Sequence, residues 1–345
     1  MQAKQLALTV ACLCAGTAAM AQTANPVTLY GRIYVAFDSV RANGGAAPVS
    51  SRNRVTDRVS LIGFRGSEDL GGGLKAFFQL ESAAPPDAGG GTFGSRNSGV
   101  GLAGNWGTLL LGRWDTPFKV AHAAVIDPFG DVSSPDITGA ALNQGNFSRR
   151  ENNAIQYWSP KMGAFSFRAH YTANEVRTAT ANPSVVSTTL TYADGPLYVA
   201  YGYERHKDLN GTTATAGVSE NGNALSAYYR FGSLKLSGQA GRYTRTGTER
   251  QNSYMVGLDW ALGKHVILAT YQNSKNGGVT TAAQPKCNLA GVGYRYDFSK
   301  RTSFTTDYTK VDNQVGNLCN FGTSGLTITA GQDPRGFSAG MRHTF

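Results

Sequence analysis

Beyond residue 21 the chain has no apolar run long enough for a membrane-spanning helix, which needs about 20 consecutive apolar residues. Cysteine is scarce, with 4 in 345 residues, and the 5 histidines, at 122, 170, 206, 265 and 343, are scattered. None has a second ligand at metal-site spacing, so no metal site is expected. No Gly-x-Ser-x-Gly elbow and no Ser-His-Asp set is present, which argues against a hydrolase. The glycine-rich stretches 71–73 and 101–107 do not lie between a strand and a helix, so they read as turns rather than phosphate cradles. Acidic residues are outnumbered, 22 against 32 Lys and Arg. Yet no run of Lys or Arg forms a nucleic-acid-binding arm. Neither cofactor, nor metal, nor nucleic-acid partner is expected, and the chain does not read as an enzyme.

What is present begins with a leader. Residues 1–21 carry one charge, Lys4, then an apolar stretch ending in Ala19-Met20-Ala21, a small-x-small cleavage pattern that predicts a signal peptide and a mature start at Gln22. Cys12 and Cys14 raise lipidation as an alternative, but Thr9-Val10-Ala11 is a poor lipobox. Removal of Lys4 takes the formal net charge from +10 to +9.

The opposite end alternates and stops on an aromatic residue. Phe345, His343, Met341, Ala339 and Phe337 share one face, and Thr344, Arg342, Gly340 and Ser338 the other. Similar runs recur along the chain. In 27–40, Leu29, Ile33, Val35 and Phe37 oppose Tyr30, Arg32, Tyr34 and Asp38. In 74–82, Leu74, Ala76, Phe78 and Leu80 oppose Lys75, Phe77, Gln79 and Glu81. Tight turns fall near 69–73, 105–107, 160–163, 194–196, 231–233, 262–264 and 299–301. Polar loops fall near 41–54, 85–95, 117–150, 175–183, 208–220, 246–251, 276–286 and 314–334. Short turns alternating with long loops give about sixteen strands and predict an antiparallel transmembrane β-barrel. With no linker visible, 22–345 reads as one domain. Its roughly 320 residues exceed an ordinary single core, a limit that a ring of strands in lipid escapes. The segment 117–150 is the longest connection and lacks alternation. Such loops are usually functional, and the simplest role in a barrel is to fold inward and narrow the bore.

Four stretches carry a family resemblance: Val27-Thr-Leu-Tyr-Gly31; Gly63-Phe-Arg-Gly-Ser-Glu-Asp-Leu-Gly-Gly-Gly-Leu-Lys-Ala-Phe-Phe-Gln-Leu-Glu81; Gly107-Thr-Leu-Leu-Leu-Gly-Arg113; and Met341-Arg-His-Thr-Phe345. Asn153-Ala-Ile-Gln-Tyr-Trp-Ser-Pro160 adds a weaker one. Spread from end to end, they resemble the general diffusion porins of Gram-negative outer membranes, especially the beta-proteobacterial type. The resemblance implies a sixteen-stranded barrel with an inward third loop, a homotrimer, and passive diffusion of small hydrophilic solutes. It implies contact with outer-membrane lipid and lipopolysaccharide, insertion by the barrel-assembly machinery, and a C-terminal assembly signal at Phe345.

It also implies an eyelet with acids on the loop facing a basic wall. Asp127 and Asp131, in Asp127-Pro-Phe-Gly-Asp131, are the acidic candidates; the acid does not fall between Pro and Phe as in related porins. Arg113 matches the family's Gly-Arg pair. Arg32 follows from strand parity, Arg150 from its place at the end of the loop, and Lys75 from the polar face near a turn. Many relatives carry Arg where this chain has Leu61, and Arg58 or Arg54 is the expected substitute. The basic balance and these arginines predict a preference for anions. Cys287 and Cys319 fall in loops of neighbouring hairpins on one rim, so a disulfide and two free thiols are both open. Two rivals remain at this point: a substrate-specific barrel for sugars or organic acids, and a non-conducting surface barrel such as an adhesin.

Overall fold

The computed structural model describes residues 27–345 other than 46, 131, 143–145, 173–174, 211, 248–249 and 276–285. The expected signal peptide, Cys12 and Cys14 lie outside the described residues. Seventeen strand segments follow one another: β1 Thr28–Gly44, β2 Val49–Asp57, β3 Leu61–Gly71, β4 Leu74–Ala83, β5 Ser98–Gly104, β6 Gly107–Asp115, β7 Arg150–Trp158, β8 Phe165–Thr172 and β9 Ser184–Asp194. Then come β10 Leu197–Asn210, β11 Thr213–Phe231, β12 Leu234–Arg245, β13 Gln251–Leu262, β14 His265–Lys275, β15 Lys286–Asp297, β16 Thr302–Asn313 and β17 Gln332–Thr344.

Every neighbouring pair is antiparallel, and the ring closes where β1 meets β17, from Arg32 opposite Thr344 to Gly44 opposite Gln332. Phe345 completes the seam. Its N–H donates to Gly31 O at 3.1 Å and its carbonyl accepts from Gly31 N–H at 3.0 Å. Its ring covers Gly31, where a Cβ would lie 2.4 Å from the ring. Seventeen segments make sixteen staves, because β2 pairs with the upper half of β1 and β3 with its lower half. The break between them, Arg58 to Ser60, holds Val59 at φ 62°. The result is a closed sixteen-stranded antiparallel β-barrel.

The two faces differ as a barrel in lipid demands. On β1, Leu29, Ile33 and Phe37 are exposed while Tyr34, Ala36, Asp38 and Val40 are buried. On β14, Ile267 and Tyr271 are exposed while Thr270, Gln272 and Ser274 are buried. Apolar side chains therefore point outward and mostly polar ones inward, the reverse of a soluble sandwich.

Two expected loops are shorter than the sequence suggests. The stretch 41–54 is mostly strand, since β1 runs to Gly44 and β2 starts at Val49; 208–220 is likewise the meeting of β10 and β11. These ends are rich in Ser, Thr, Asn and Gly on both faces, so they give no alternation to read. They pair as ladders because backbone bonding does not need an apolar face.

Between β6 and β7 the chain leaves the wall. Thr116 caps a short helical turn, α1 Pro117–Lys119, accepting Lys119 N–H at its Oγ1 (3.3 Å). A π-helical turn spans Val120–Ala124 and a 3₁₀ turn Ile137–Gly139, the latter capped by Asp136. Phe118, Ile126, Ile137, Leu142 and Phe147 are all buried, packing with Ala200, Ala224, Tyr243 and Met255 of the wall.

Candidate pore lining

The loop between β6 and β7 lies on the barrel's inner face. Phe118 N–H donates to Ser187 on β9 (3.1 Å), and His122 Nδ1 meets Ser226 Oγ on β11 at 2.6 Å. Ala141 O accepts from Tyr243 on β12 (3.1 Å) and Ser253 on β13 (2.6 Å); Gln272 on β14 donates to Pro135 O (3.1 Å) and Asp136 O (2.9 Å). Tyr34 on β1 completes the circuit at Ser133, 3.5 Å away. A single loop reaches strands this far apart around the ring only from within. Inward glycines make room for it. A Cβ at Gly222 would lie 2.5 Å from the Phe147 ring, and one at Gly291 would lie 2.2 Å from Pro135. Burial pushes the His122 imidazole down to about 3, with the Ser226 hydroxyl and the Phe118 ring as its neighbours.

The basic residues expected on the wall separate into distinct roles. Arg32 faces inward beside the loop and donates to Val59 O at 2.7 Å, bracing the break between β2 and β3. Arg58, in that break, is completely buried. It donates to Asp38 (2.5 Å), to Ser134 of the loop (2.7 Å) and to Ser338 of β17 (2.7 Å). Arg54 pairs with the same Asp38 at 3.2 Å. Arg150 sits at the root of the loop, bonded to Asn97 (2.8 Å) and to Asp115 (3.0 Å), which also holds Lys119 (3.3 Å). Lys75 is exposed beside the β3–β4 turn, opposite Asp69.

Arg113 departs from expectation. It follows Leu109 and Leu111, both exposed and outward, and pairs with Ser98, while Gly112 and Gly99 take the inward place. A register shift between Gly112 and Trp114 sets Asn152 and Asn153 of β7 against Arg113 alone, with the extra residue on β7, where Asn153 takes φ 51°. The Arg113 guanidinium donates to Ser95 O (2.9 Å) and to Asn152, and it lines both a cleft with Leu111 and Ile155 and one with Arg149, Arg150 and Glu151 at the root of the loop.

The acidic loop also differs. Asp127 is buried and turned back into the loop, where its carboxylate accepts Phe129 N–H (2.9 Å) and Ile137 N–H (3.0 Å). Two backbone donors to one carboxylate make it a staple of loop shape rather than a charge facing the passage. Asp136 is used in the same way, accepting Thr138 N–H at 2.9 Å and Thr323 Oγ1–H at 2.6 Å. Asp131 lies outside the described residues.

Sequence reasoning passed over two arginines that the fold brings to Arg32. Arg295 of β15 and Arg342 of β17 line, with Arg32 and the loop residues Pro128 and Ser133, a cleft of about 170 Å³. Arg295 is paired with Asp297 (2.9 Å); neither Arg32 nor Arg342 forms an ion pair among the described residues. Arg342 was legible from parity, being on the polar face of the last strand. Its nearness to Arg32 needed the β1–β17 register. Also unforeseen is a buried His206 between Glu204 (2.8 Å) and Glu220 (3.0 Å), its ring stacked on Phe147 (4.6 Å), so the end of the loop rests on this triad. Cys287 and Cys319 are joined by a disulfide, with Cα atoms 6.3 Å apart, and pack with Leu289, Val311 and Phe321. The bond ties the start of β15 to the connection between β16 and β17.

Comparisons with known proteins agree along the whole length. A family model described as Gram-negative porin matches residues 7–316. Outer membrane porin protein 32 of Delftia acidovorans is 31% identical, over 99% of this chain and 100% of that protein. The major outer membrane protein P.IB of Neisseria meningitidis is 30% identical, over 88% of this chain and 91% of its own. Among solved structures, an anion-selective porin from Comamonas acidovorans superposes with a TM-score of 0.79 at 28% identity, covering 93% of this chain and 100% of that one. The trimer form of OmpT from Vibrio cholerae, at 17% identity, 93% and 99% coverage and a TM-score of 0.73, shares the fold.

Proposed function

This chain belongs to the Gram-negative porin family, a general diffusion channel crossing the outer membrane as a multi-pass β-barrel, and we propose that its bore prefers anions. The observation that carries this is a charge imbalance at the loop. Arg32 and Arg342 stand without ion-pair partners among the described residues, while the described loop carboxylates Asp127 and Asp136 accept hydrogen bonds from backbone N–H groups and, for Asp136, from Thr323. Among the described residues, a passing ion therefore meets Arg32, Arg295 and Arg342 at this cleft, with Asp307 its one lining carboxylate and Asp297 paired to Arg295. Fixed charge in a narrow bore raises the local concentration of counter-ions and lowers that of co-ions. The basic balance of the chain points the same way.

The roles follow from placement. Arg32 is assigned to the basic wall, joined by Arg295 and Arg342. Arg58 and Arg150 anchor the loop, and Lys75 lies at the short-turn mouth. Residues 1–21 would direct export, and Phe345, closing the seam, would be the assembly signal. Solutes would cross without a binding cycle, sorted by the width left beside the loop and by the field of the wall. The protein is proposed to act as a homotrimer. The strands β5, β6, β7 and β8 have only 7, 9, 9 and 8 residues, at or below the 9–11 a tilted strand needs to span lipid. A neighbouring copy would cover that low side, and native mass spectrometry in detergent reads the stoichiometry.

The test of anion preference is the zero-current potential of single channels in a potassium chloride gradient. A value displaced toward the chloride equilibrium potential is expected. A value at the potassium side would overturn the assignment of the arginine wall.

A further inference from the structure

The inward face of β6 to β12 carries a row that a simple water-filled bore does not need. Trp114 and Trp158 lie with ring centroids 5.9 Å apart, and the Arg168 guanidinium sits 4.9 Å over Trp158. Past Thr189 and Thr191 of β9, Tyr198 and Tyr228 stack face to face at 5.1 Å, 5° from parallel. Arg230 and Lys235 then cover Tyr228 at 5.2 and 5.6 Å. The register makes this a belt: Trp158 is directly opposite Arg168, Tyr198 opposite Tyr228, and Arg230 opposite Lys235. It descends from the root of the loop, next to Trp114, to the short-turn rim.

Two features mark the row as more than wall packing. The first is unspent charge. The side chains of Arg168 and Arg230 have no hydrogen bond or ion pair among the described residues. Lys235 reaches only Val125 O, at 3.4 Å; Asp259 stands across from it in the register without pairing. The second is accessible ring surface. Trp114, Trp158 and Tyr228 are all half-buried rather than sealed by the loop. Aromatic belts that meet lipid headgroups face outward; these rings face in.

We propose that this track is a low-affinity site for aromatic carboxylates, loading them below the constriction. The proposal rests on the channel reading and names the solute class it favours. A planar ring would lie on the Trp158 or Tyr228 face in offset stacking, as aromatic pairs prefer. Its carboxylate would take the two-pronged hydrogen bonds that a guanidinium fork offers, from Arg168 or Arg230. Chloride would use the charge and leave the rings without a role; a neutral sugar would use the rings and leave three cations without one. An aromatic anion uses both. Repeating the pair of ring and cation along the row lets the solute move between equivalent places without a deep trap, as permeation requires.

The test uses the full-length protein in planar bilayers of known orientation. Sodium benzoate is added at the short-turn side, with sodium cyclohexanecarboxylate and sodium acetate as probes of equal charge. Benzoate is expected to lower the chloride current saturably, at a half-blocking concentration at least about fivefold below that of cyclohexanecarboxylate, the margin that ring stacking supplies. Arg168→Gln combined with Arg230→Gln is expected to raise the benzoate value about tenfold, as loss of a charge-assisted fork does. Trp158→Leu is expected to remove the preference for the flat ring; Tyr228→Leu reads the same effect should Trp158→Leu fail to insert. Equal blocking by the three carboxylates, an unchanged value in the Arg168→Gln, Arg230→Gln double variant, or blocking by glucose but not benzoate would each overturn the site. Chloride conduction alongside any of these results leaves the channel reading standing. Loss of all conduction by the unmodified protein would sink both.

Discussion

Arg58 and Arg342 carry the same charge on the same side of the bore, yet opposite consequences are expected from removing them. Arg58→Met takes away three donations: to Asp38 at 2.5 Å, and to Ser134 and Ser338 at 2.7 Å each. Breaking a buried pair by removing one partner costs about 3–5 kcal/mol. Asp38 still holds Arg54 at 3.2 Å and Thr56 at 2.9 Å, which places the loss near the lower end, about 3 kcal/mol. Because Arg58 is fully covered and neutralised, ion selectivity should hardly move. Arg342→Gln inverts the pattern. Arg342 has no carboxylate within pairing distance among the described residues, so its field reaches the passage. A unit charge about 6 Å from an ion in water is worth about 0.7 kcal/mol, or about threefold in local occupancy for each ion sign. Stability should stay within about 0.5 kcal/mol, as for a change away from packed features. Thermal melting in detergent at one fixed scan rate, together with reversal potentials in bilayers, separates the two quantities. The reasoning fails if Arg58→Met melts like the parent while losing as much chloride preference as Arg342→Gln.

Two further outcomes follow from the loops. Cys287 and Cys319 close a chain separation of 32 residues, for which chain entropy supplies about 4 kcal/mol; Cys287→Ser with Cys319→Ser should lower the melting temperature but keep conductance, and equal melting with and without reductant would refute it. His122 is neutral when docked, its imidazole held at about 3 against an ordinary 6.5. A depressed base leaves stability intact above about pH 6.5 and erodes it at about 1.4 kcal/mol per unit as pH falls toward 3. Current noise from a loosening loop should therefore rise between pH 6 and 4 and flatten in His122→Asn; identical pH profiles would dismiss that role.

Period-two alternation, the alternating spacing of turns and loops, and the aromatic last residue are all local properties, and a stave of the barrel needs nothing more. Parity along one strand already placed Arg32, Tyr34 and Asp38 on the wet face. Where strands rise out of lipid, as at the far ends of β1 and β11, both faces are polar and the alternation vanishes, so loops were expected where ladders form. The loop itself was legible as a long segment without alternation, but the duty of its acids was not. Asp127 turns inward because the backbone N–H groups of Phe129 and Ile137, buried under the loop, need an acceptor.

The chain alone thus determined the ring, its strand number and its greasy exterior, because each follows from side-chain pattern within a few residues. Only the tertiary structure decided which charges reach the water. Arg58 was silenced by Asp38 from another stave, and Arg342 met Arg32 through the closing seam. Those outcomes depend on register and on contact between different staves, and no local period records them.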